Sequence, residues 1–149
     1  MYARAGTAYV YFTYGMHWCF NVVCGRVDEP VAVLVRALEP CEGIDGMRDR
    51  RGVERDRDLW SGPAKLTRAM KIGGGEDGVD LVESRDLFLE APTRAMRRAI
   101  GVSPRIGVGS AGEWAAAPLR FFLIGNPHVS RRVGARGDAD QARPEKVNA

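Results

Sequence analysis

Alternation of apolar and polar positions begins close to the N-terminus. Tyr9 to Thr13 and His17 to Val23 are rich in aromatic and β-branched residues, with Tyr14-Gly15-Met16 between them. That pattern predicts a β-hairpin. Pairing centred on Gly15 sorts the side chains onto two faces, because successive strand residues point opposite ways. Val10, Phe12, Trp18, Phe20 and Val22 form a wholly apolar face, expected to pack on the core. Tyr9, Tyr11, Thr13, His17, Cys19 and Asn21 form the other. An aromatic, hydrogen-bonding face suits a pocket for a flat polar ligand. It equally suits a half-buried sheet whose tyrosine hydroxyls reach water at an edge.

Val31-Ala32-Val33-Leu34-Val35 reads as a buried strand. Arg36 follows with the parity of Ala32 and Leu34, which sets a guanidinium on an apolar ridge. A buried charge must be paired or solvated; the plainer alternative is a strand-end Arg whose head reaches water. Residues 45–58 mix Arg48, Arg50, Arg51, Arg55 and Arg57 with Asp45, Asp49, Glu54, Asp56 and Asp58, a solvated helix and loop. Ser61-Gly62-Pro63 predicts a helix start, a capping serine before an early proline, with the helix running past Lys65-Leu66 to Met70. Gly73-Gly74-Gly75 ends it. Leu87-Phe88-Leu89 suggests a strand, and Leu119 to Ile124 another, with Leu119, Phe121 and Leu123 alternating. Thr93 to Arg105 carries Arg94, Arg97, Arg98 and Arg105 without an acid and leads into Gly107-Val108-Gly109. After Ser130 the chain turns polar, and residues 131–149 read as a mobile tail.

With 149 residues, the chain suits one domain of ordinary size, residues 1–130, and its 45% apolar content is that of a globular protein. No apolar run nears the roughly 20 residues that span a bilayer, and the first residues lack a signal-peptide core. A membrane protein is not expected, and a cytoplasmic one is. The 22 Lys and Arg exceed 19 Asp and Glu only slightly, so net charge alone does not imply nucleic acid. All the basic residues but Lys65, Lys71 and Lys146 are Arg. Arg makes bidentate contacts to phosphate, though genomic base composition produces the same bias. Cys19, Cys24 and Cys41 form no C-x-x-C pair, and with only His17 and His128 besides no metal-site spacing exists. The expectation is reduced thiols and no metal.

Gly107-Val108-Gly109-Ser110-Ala111-Gly112 matches G-x-G-x-x-G by letter. A dinucleotide site also needs a preceding strand, a following helix and an acid about 20 residues on. None is present, so no nucleotide cofactor is expected. The glycines still permit close backbone approach to a ligand. Lys65 reads as a water-exposed helix lysine rather than a Schiff-base nucleophile.

Longer blocks say more. Gly6-Thr7-Ala8-Tyr9-Val10-Tyr11-Phe12-Thr13-Tyr14-Gly15-Met16-His17-Trp18-Cys19-Phe20-Asn21, then Leu34-Val35-Arg36-Ala37-Leu38-Glu39-Pro40, closely resemble the alkyladenine (3-methyladenine) DNA glycosylase family. Ser61-Gly62-Pro63-Ala64-Lys65-Leu66, Arg105-Ile106-Gly107-Val108-Gly109, and Gly112-Glu113-Trp114 with Pro118-Leu119-Arg120-Phe121 are similar to later family blocks. The blocks keep family order over roughly residues 5 to 130. The resemblance implies a monofunctional glycosylase that flips a damaged purine from duplex DNA and hydrolyses its N-glycosidic bond with an activated water, without a cofactor. It implies that Tyr11 stacks on the flipped base and Asn21 lines the pocket wall. Tyr14 corresponds to the hairpin-tip residue filling the vacated space, with Met16 beside it in the minor groove. Arg36 corresponds to the arginine near the sugar that helps hold the water, and the backbone carbonyl of Ile106 to a second holder. Gly107 and the arginines before it would meet phosphates.

The resemblance also implies a departure. Family members begin well upstream, and the segment with no counterpart here carries the glutamate general base and a tyrosine–histidine pair that completes the base sandwich. Glu39 and Glu113 fall at positions to which the resemblance assigns structural roles. The expectation is therefore a family member lacking its N-terminal portion, with little or no glycosylase activity alone. The fold expected is α+β, a single domain with a curved, largely antiparallel sheet, peripheral helices and a protruding DNA-inserting hairpin, acting as a monomer on double-stranded DNA containing damaged purines. The alternatives are a non-catalytic protein that binds DNA distortions through the hairpin, and an inactive remnant.

Overall fold

The hairpin forms as its alternation requires. In the computed structural model, which describes residues 1–92 and 99–129, strands β1 (Ala8–Thr13) and β2 (His17–Val23) pair antiparallel, with Val10 opposite Phe20 and Thr13 opposite His17. The pairing is centred on Gly15. Tyr14 (φ 51°) and Gly15 (φ 64°) both lie in the left-handed region, and Met16 N–H donates to Thr13 O at 3.1 Å. Two successive left-handed residues are the signature of a type I′ turn, whose twist matches that of the strands. Strand β3 (Ala32–Leu34) adds antiparallel to β2, giving the order β1-β2-β3.

The described residues fall into two compact units, Met1–Ala95 and Met96–Ala149. In the first, helices α1 (Ile44–Arg51), α2 (Asp56–Leu59) and α3 (Pro63–Met70) follow the sheet. Ala8, Val10 and Phe20 pack with Leu59, Trp60, Leu66, Ala69, Ile72 and Leu81 to make the core. Leu59, Leu66 and Leu81 are fully buried, and burying such a side chain contributes about 1.5–3 kcal/mol. Polar bonds then fix the helices. Thr67 Oγ1 donates to the Trp18 carbonyl at 3.1 Å, tying α3 to β2. Arg50 Nε donates to Ala69 O at 2.7 Å and Arg68 Nε to Arg50 O at 3.1 Å, locking α1 to α3. The outer edge of β1 is covered as well: Ala8 N–H donates to Val79 O, and Val10 N–H to Asp77 Oδ1 at 2.8 Å. Covering an edge in this way removes a template for aberrant pairing.

The second unit holds β4 (Ile100–Ser103) paired antiparallel with β5 (Arg120–Leu123), joined through a 3₁₀ segment at Gly109–Ala115. The Phe122 ring lies across Gly101, where a Cβ would sit 2.5 Å from it.

The α+β class and the antiparallel pairing hold, with the strands divided between two small sheets. Several local expectations are corrected. Phe12 has the parity of the core face yet is 51% exposed, because the hairpin tip runs past the helices that cover Val10. The strand expected at Val31 to Val35 is shorter and lies at a sheet edge, so Val31 and Val33 are half-exposed rather than buried. Ser61 does not cap α3; Gly62 takes the N-cap position without a side-chain bond, and Ser61 Oγ accepts from Lys65 Nζ at 3.1 Å. Leu87–Leu89 is not a strand, and its ladder-like link is Leu89 N–H to Leu81 O. In β5 the burial is reversed: Phe121 is exposed, while Arg120 is buried, stacked 4.6 Å over Phe122 and donating to Ser103 Oγ. Arg94, Arg97, Arg98 and the tail at 131–149 lie outside the described residues.

Candidate nucleic-acid interface and base pocket

The turn geometry dictates what the hairpin presents. A non-glycine residue at positive φ is uncommon and costs energy, and here it is tyrosine. With Tyr14 left-handed at the tip, its ring is 87% exposed, and Met16 beside it is 73% exposed. Two large side chains are thus held in water at the end of the hairpin.

Below the tip, the polar–aromatic face assembles in register. Tyr9 stands opposite Asn21, and Tyr11 opposite Cys19. The Tyr9 and Tyr11 rings are tilted at 33° with centroids 5.3 Å apart. Asn21 is buried and its Nδ2 donates to Tyr9 O at 3.0 Å. That bond fixes the amide on the hairpin that carries both rings. Cys19 is buried and Tyr11 is part-exposed. Burial pushes the Tyr11 phenol above its ordinary value, and the neighbouring Cys19, Tyr9 and Tyr14 add to the rise. The Tyr11 phenol therefore holds its proton and the ring stays neutral.

Arg36 joins this face through the third strand. Leu34 pairs with Asn21, and Val35 N–H donates to Phe20 O at 3.0 Å, one residue past the end of β3. Continuing that register sets Arg36 level with Cys19, in the row that contains Tyr11. Arg36 is half-buried, and among the described residues no carboxylate pairs with it. The sheet thus gathers Tyr11, Asn21 and Arg36 from segments 10 to 25 residues apart in the chain. Ile106 and Gly107 belong to the second unit, where Ile106 is half-buried and Gly107 exposed. Gly107 has φ 76° with open space where a Cβ would stand, so the backbone conformation and not crowding calls for glycine.

One feature was not anticipated from the sequence. Beside the hairpin tip lies an open groove of about 450 Å³ whose lining includes Phe12, Met16, Trp18, Arg51, Lys65 and Arg68. Among the described residues, no carboxylate lines it. The three cations are steadied mainly by neutral oxygens: Arg51 by the Leu59 and Asp58 carbonyls, Arg68 by Arg50 O, Lys65 by Ser61 Oγ. Ion pairs form elsewhere, at Arg4–Asp80 and at Arg48 with Asp45 and Asp56. Charge anchored without a counter-ion stays available to an external anion. The available signal was the i, i+3 spacing of Lys65 and Arg68 on one helix face. Among the described residues, no group of three or more His, Cys, Asp or Glu is arranged to hold a metal, and no helix is long and apolar enough to cross a membrane.

The hairpin thus joins an exposed aromatic tip to a groove lined by Arg51, Lys65 and Arg68 and to a face that carries Tyr11 and Asn21. The family model described as Methylpurine-DNA glycosylase (MPG) matches residues 1–127, and the chain belongs to that family. A protein of Burkholderia cenocepacia (strain HI2424) named "Putative 3-methyladenine DNA glycosylase" is 47% identical over 135 residues, covering 89% of this chain and 64% of its own. The protein of that name in Carboxydothermus hydrogenoformans is 43% identical, covering 89% of this chain and 68% of its own. The human DNA-3-methyladenine glycosylase is 41% identical over 140 residues, covering 87% of this chain and 46% of its own. The chain thus spans just under two thirds of the Burkholderia protein's length and about half of the human protein's.

Proposed function

We propose that this chain serves base-excision repair, engaging duplex DNA through the hairpin and receiving a flipped alkylated purine for hydrolysis of its N-glycosidic bond. The observation that carries the reading is the hairpin itself, with Tyr14 held outward at a left-handed tip and Tyr11 and Asn21 on the polar–aromatic face behind it. In this reading Tyr14 fills the space vacated by the flipped base, which offsets part of the cost of unstacking. Met16 lies along the minor groove. The neutral Tyr11 ring stacks on the purine, and the Asn21 amide bounds the pocket. Arg36 and the Ile106 carbonyl hold the attacking water near the sugar, and Gly107 allows backbone approach to a phosphate. The substrate is double-stranded DNA containing damaged purines, bound by a single copy of the protein in the cytoplasm.

Hydrolysis also needs a base within hydrogen-bond reach of the water. Arg36 cannot supply it, because a guanidinium stays protonated at any usable pH. No carboxylate occupies the hairpin's polar–aromatic face, and we assign the general base to no residue of this chain. That observation favours a second reading, in which residues 1–149 bind distorted DNA without releasing a base. Incubating the chain with duplex carrying a methylated or etheno-modified purine, and measuring both binding and base release, decides between the two. Binding selective for damaged duplex supports the DNA-engaging reading, and equal or absent binding to damaged and intact duplex refutes it.

A further inference from the structure

Tyr9 stands on the polar–aromatic face, and none of these roles uses it. It is half-buried in β1, two residues before Tyr11, so the two side chains leave the strand on the same side. Their rings are tilted at 33° with centroids 5.3 Å apart, within the range in which aromatic pairs attract. Across the ladder Tyr9 faces Asn21, whose Nδ2 donates to the Tyr9 carbonyl at 3.0 Å. One residue therefore meets both groups assigned to the base pocket, the ring through its side chain and the amide through its backbone. Tyr11 remains part-exposed, so the pairing leaves some of its surface open to a ligand. A part-exposed tyrosine without a neighbour turns between staggered rotamers, and a ligand that stacks on it must first hold it still. Contact with Tyr9 limits that freedom before the ligand arrives.

We propose that Tyr9 is a positioning residue for the base pocket: its ring fixes the Tyr11 ring in the orientation that stacks on a flipped purine, and its carbonyl fixes the Asn21 amide. The inference rests on the reading in which Tyr11 and Asn21 receive the base, and it adds the residue that orders them. The two contacts are separable. Removing the side chain deletes the ring pair and leaves the carbonyl that holds Asn21, so the loss is partial. An aromatic pair changes an equilibrium constant roughly two- to tenfold, and a loss of that size is expected for duplex carrying a damaged purine. Intact duplex, from which no base is extruded, draws nothing from the ring pair. The ring and not the hydroxyl makes the contact, so phenylalanine at this position serves in place of tyrosine.

The test titrates the full 149-residue chain with two duplex oligonucleotides, one carrying an etheno-modified adenine and one intact. Tyr9→Val removes the ring and keeps a β-branched residue suited to a strand; Tyr9→Phe keeps the ring. The expected result is a loss of roughly two- to tenfold for Tyr9→Val, confined to the damaged duplex, and recovery of the parent's selectivity in Tyr9→Phe. In a Tyr11→Leu background, Tyr9→Val should cost nothing further, because a positioning residue acts only through the group it positions. Circular dichroism checks the folding of each variant. The nuclear Overhauser contacts between the Tyr9 and Tyr11 rings of the parent need no variant, and they must persist when the damaged duplex is bound. Tyr9→Val that matches the parent, that weakens both duplexes alike, or that costs as much in the Tyr11→Leu background overturns the inference and leaves the base-receiving reading standing. Loss of the ring contacts on binding does the same. Equal affinity of the parent for the two duplexes overturns both.

Discussion

Substituting Lys65 by Gln tests the groove with least damage to the fold. Lys65 is half-buried on α3, and its recorded bond is to Ser61 Oγ within the same helix start. Glutamine keeps much of the length and removes the charge. Arg51 is a poorer choice, because its bonds to Leu59 O and Asp58 O help join α1 to α2. Each phosphate neutralised by a cation contributes roughly 0.9 to the slope of log affinity against log salt. If Arg51, Lys65 and Arg68 each meet one phosphate, the groove contributes a slope of roughly 2.7, a loss of roughly 40-fold between 50 and 200 mM salt. Removing Lys65 lowers that to roughly 1.8 and the loss to roughly 12-fold. The assay is fluorescence anisotropy of a labelled duplex over that salt range, for the parent and the variant. Weaker binding with an unchanged slope would mean that Lys65 acts through structure and not charge. Unchanged affinity and slope would remove the groove from the DNA-binding surface altogether.

Tyr14→Ala should weaken binding to damaged duplex by about 1–3 kcal/mol, the scale of one lost stacking contact, with less effect on intact duplex; equal affinity of parent and variant for the two duplexes rules out the wedge. Leu66→Ala, at a fully buried core position, should lower stability by about 2–5 kcal/mol in urea denaturation; a loss under about 1 kcal/mol would show that α3 is not a core helix. If residues 1–149 bind distorted DNA without catalysis, damaged duplex is bound and little or no methylated or etheno-modified purine is released; if they catalyse hydrolysis, release accompanies binding, with general-base assistance worth a factor of about 10² to 10⁴. Release comparable to that of a longer family member would show that a base exists within residues 1–149.

The hairpin was legible because everything specifying it is local. Period-two alternation from Tyr9 to Val23 sets two faces, and Gly15 can occupy the left-handed turn position without strain. The polar–aromatic face follows from that same register, which groups Tyr11 with Asn21. The start of α3 at Pro63 was equally local, since proline belongs in a first helical turn.

What the tertiary structure decided concerns where each element ends and what covers it. Alternation identifies a face but not its cover, so Phe12 has core parity and meets water, and Val33 becomes an edge residue. Leu87–Leu89 has strand composition, yet the ladder that would make it a strand depends on a partner that the fold does not bring alongside. In β5, Arg120 is inward because Phe122 and Ser103 offer its guanidinium a ring and an oxygen, an arrangement spread across two strands. The groove is the clearest case. Met16 and His17 come from the hairpin, Arg51 from α1, and Lys65 and Arg68 from α3. Their charges read along the chain as scattered, solvated cations. Only the docking of α1 and α3 against β2, through Thr67, Arg50 and Arg68, concentrates them in one field, with no acid among the described residues of the lining. Side-chain periodicity is a property of the chain, whereas the sum of charges around a cavity is a property of the fold.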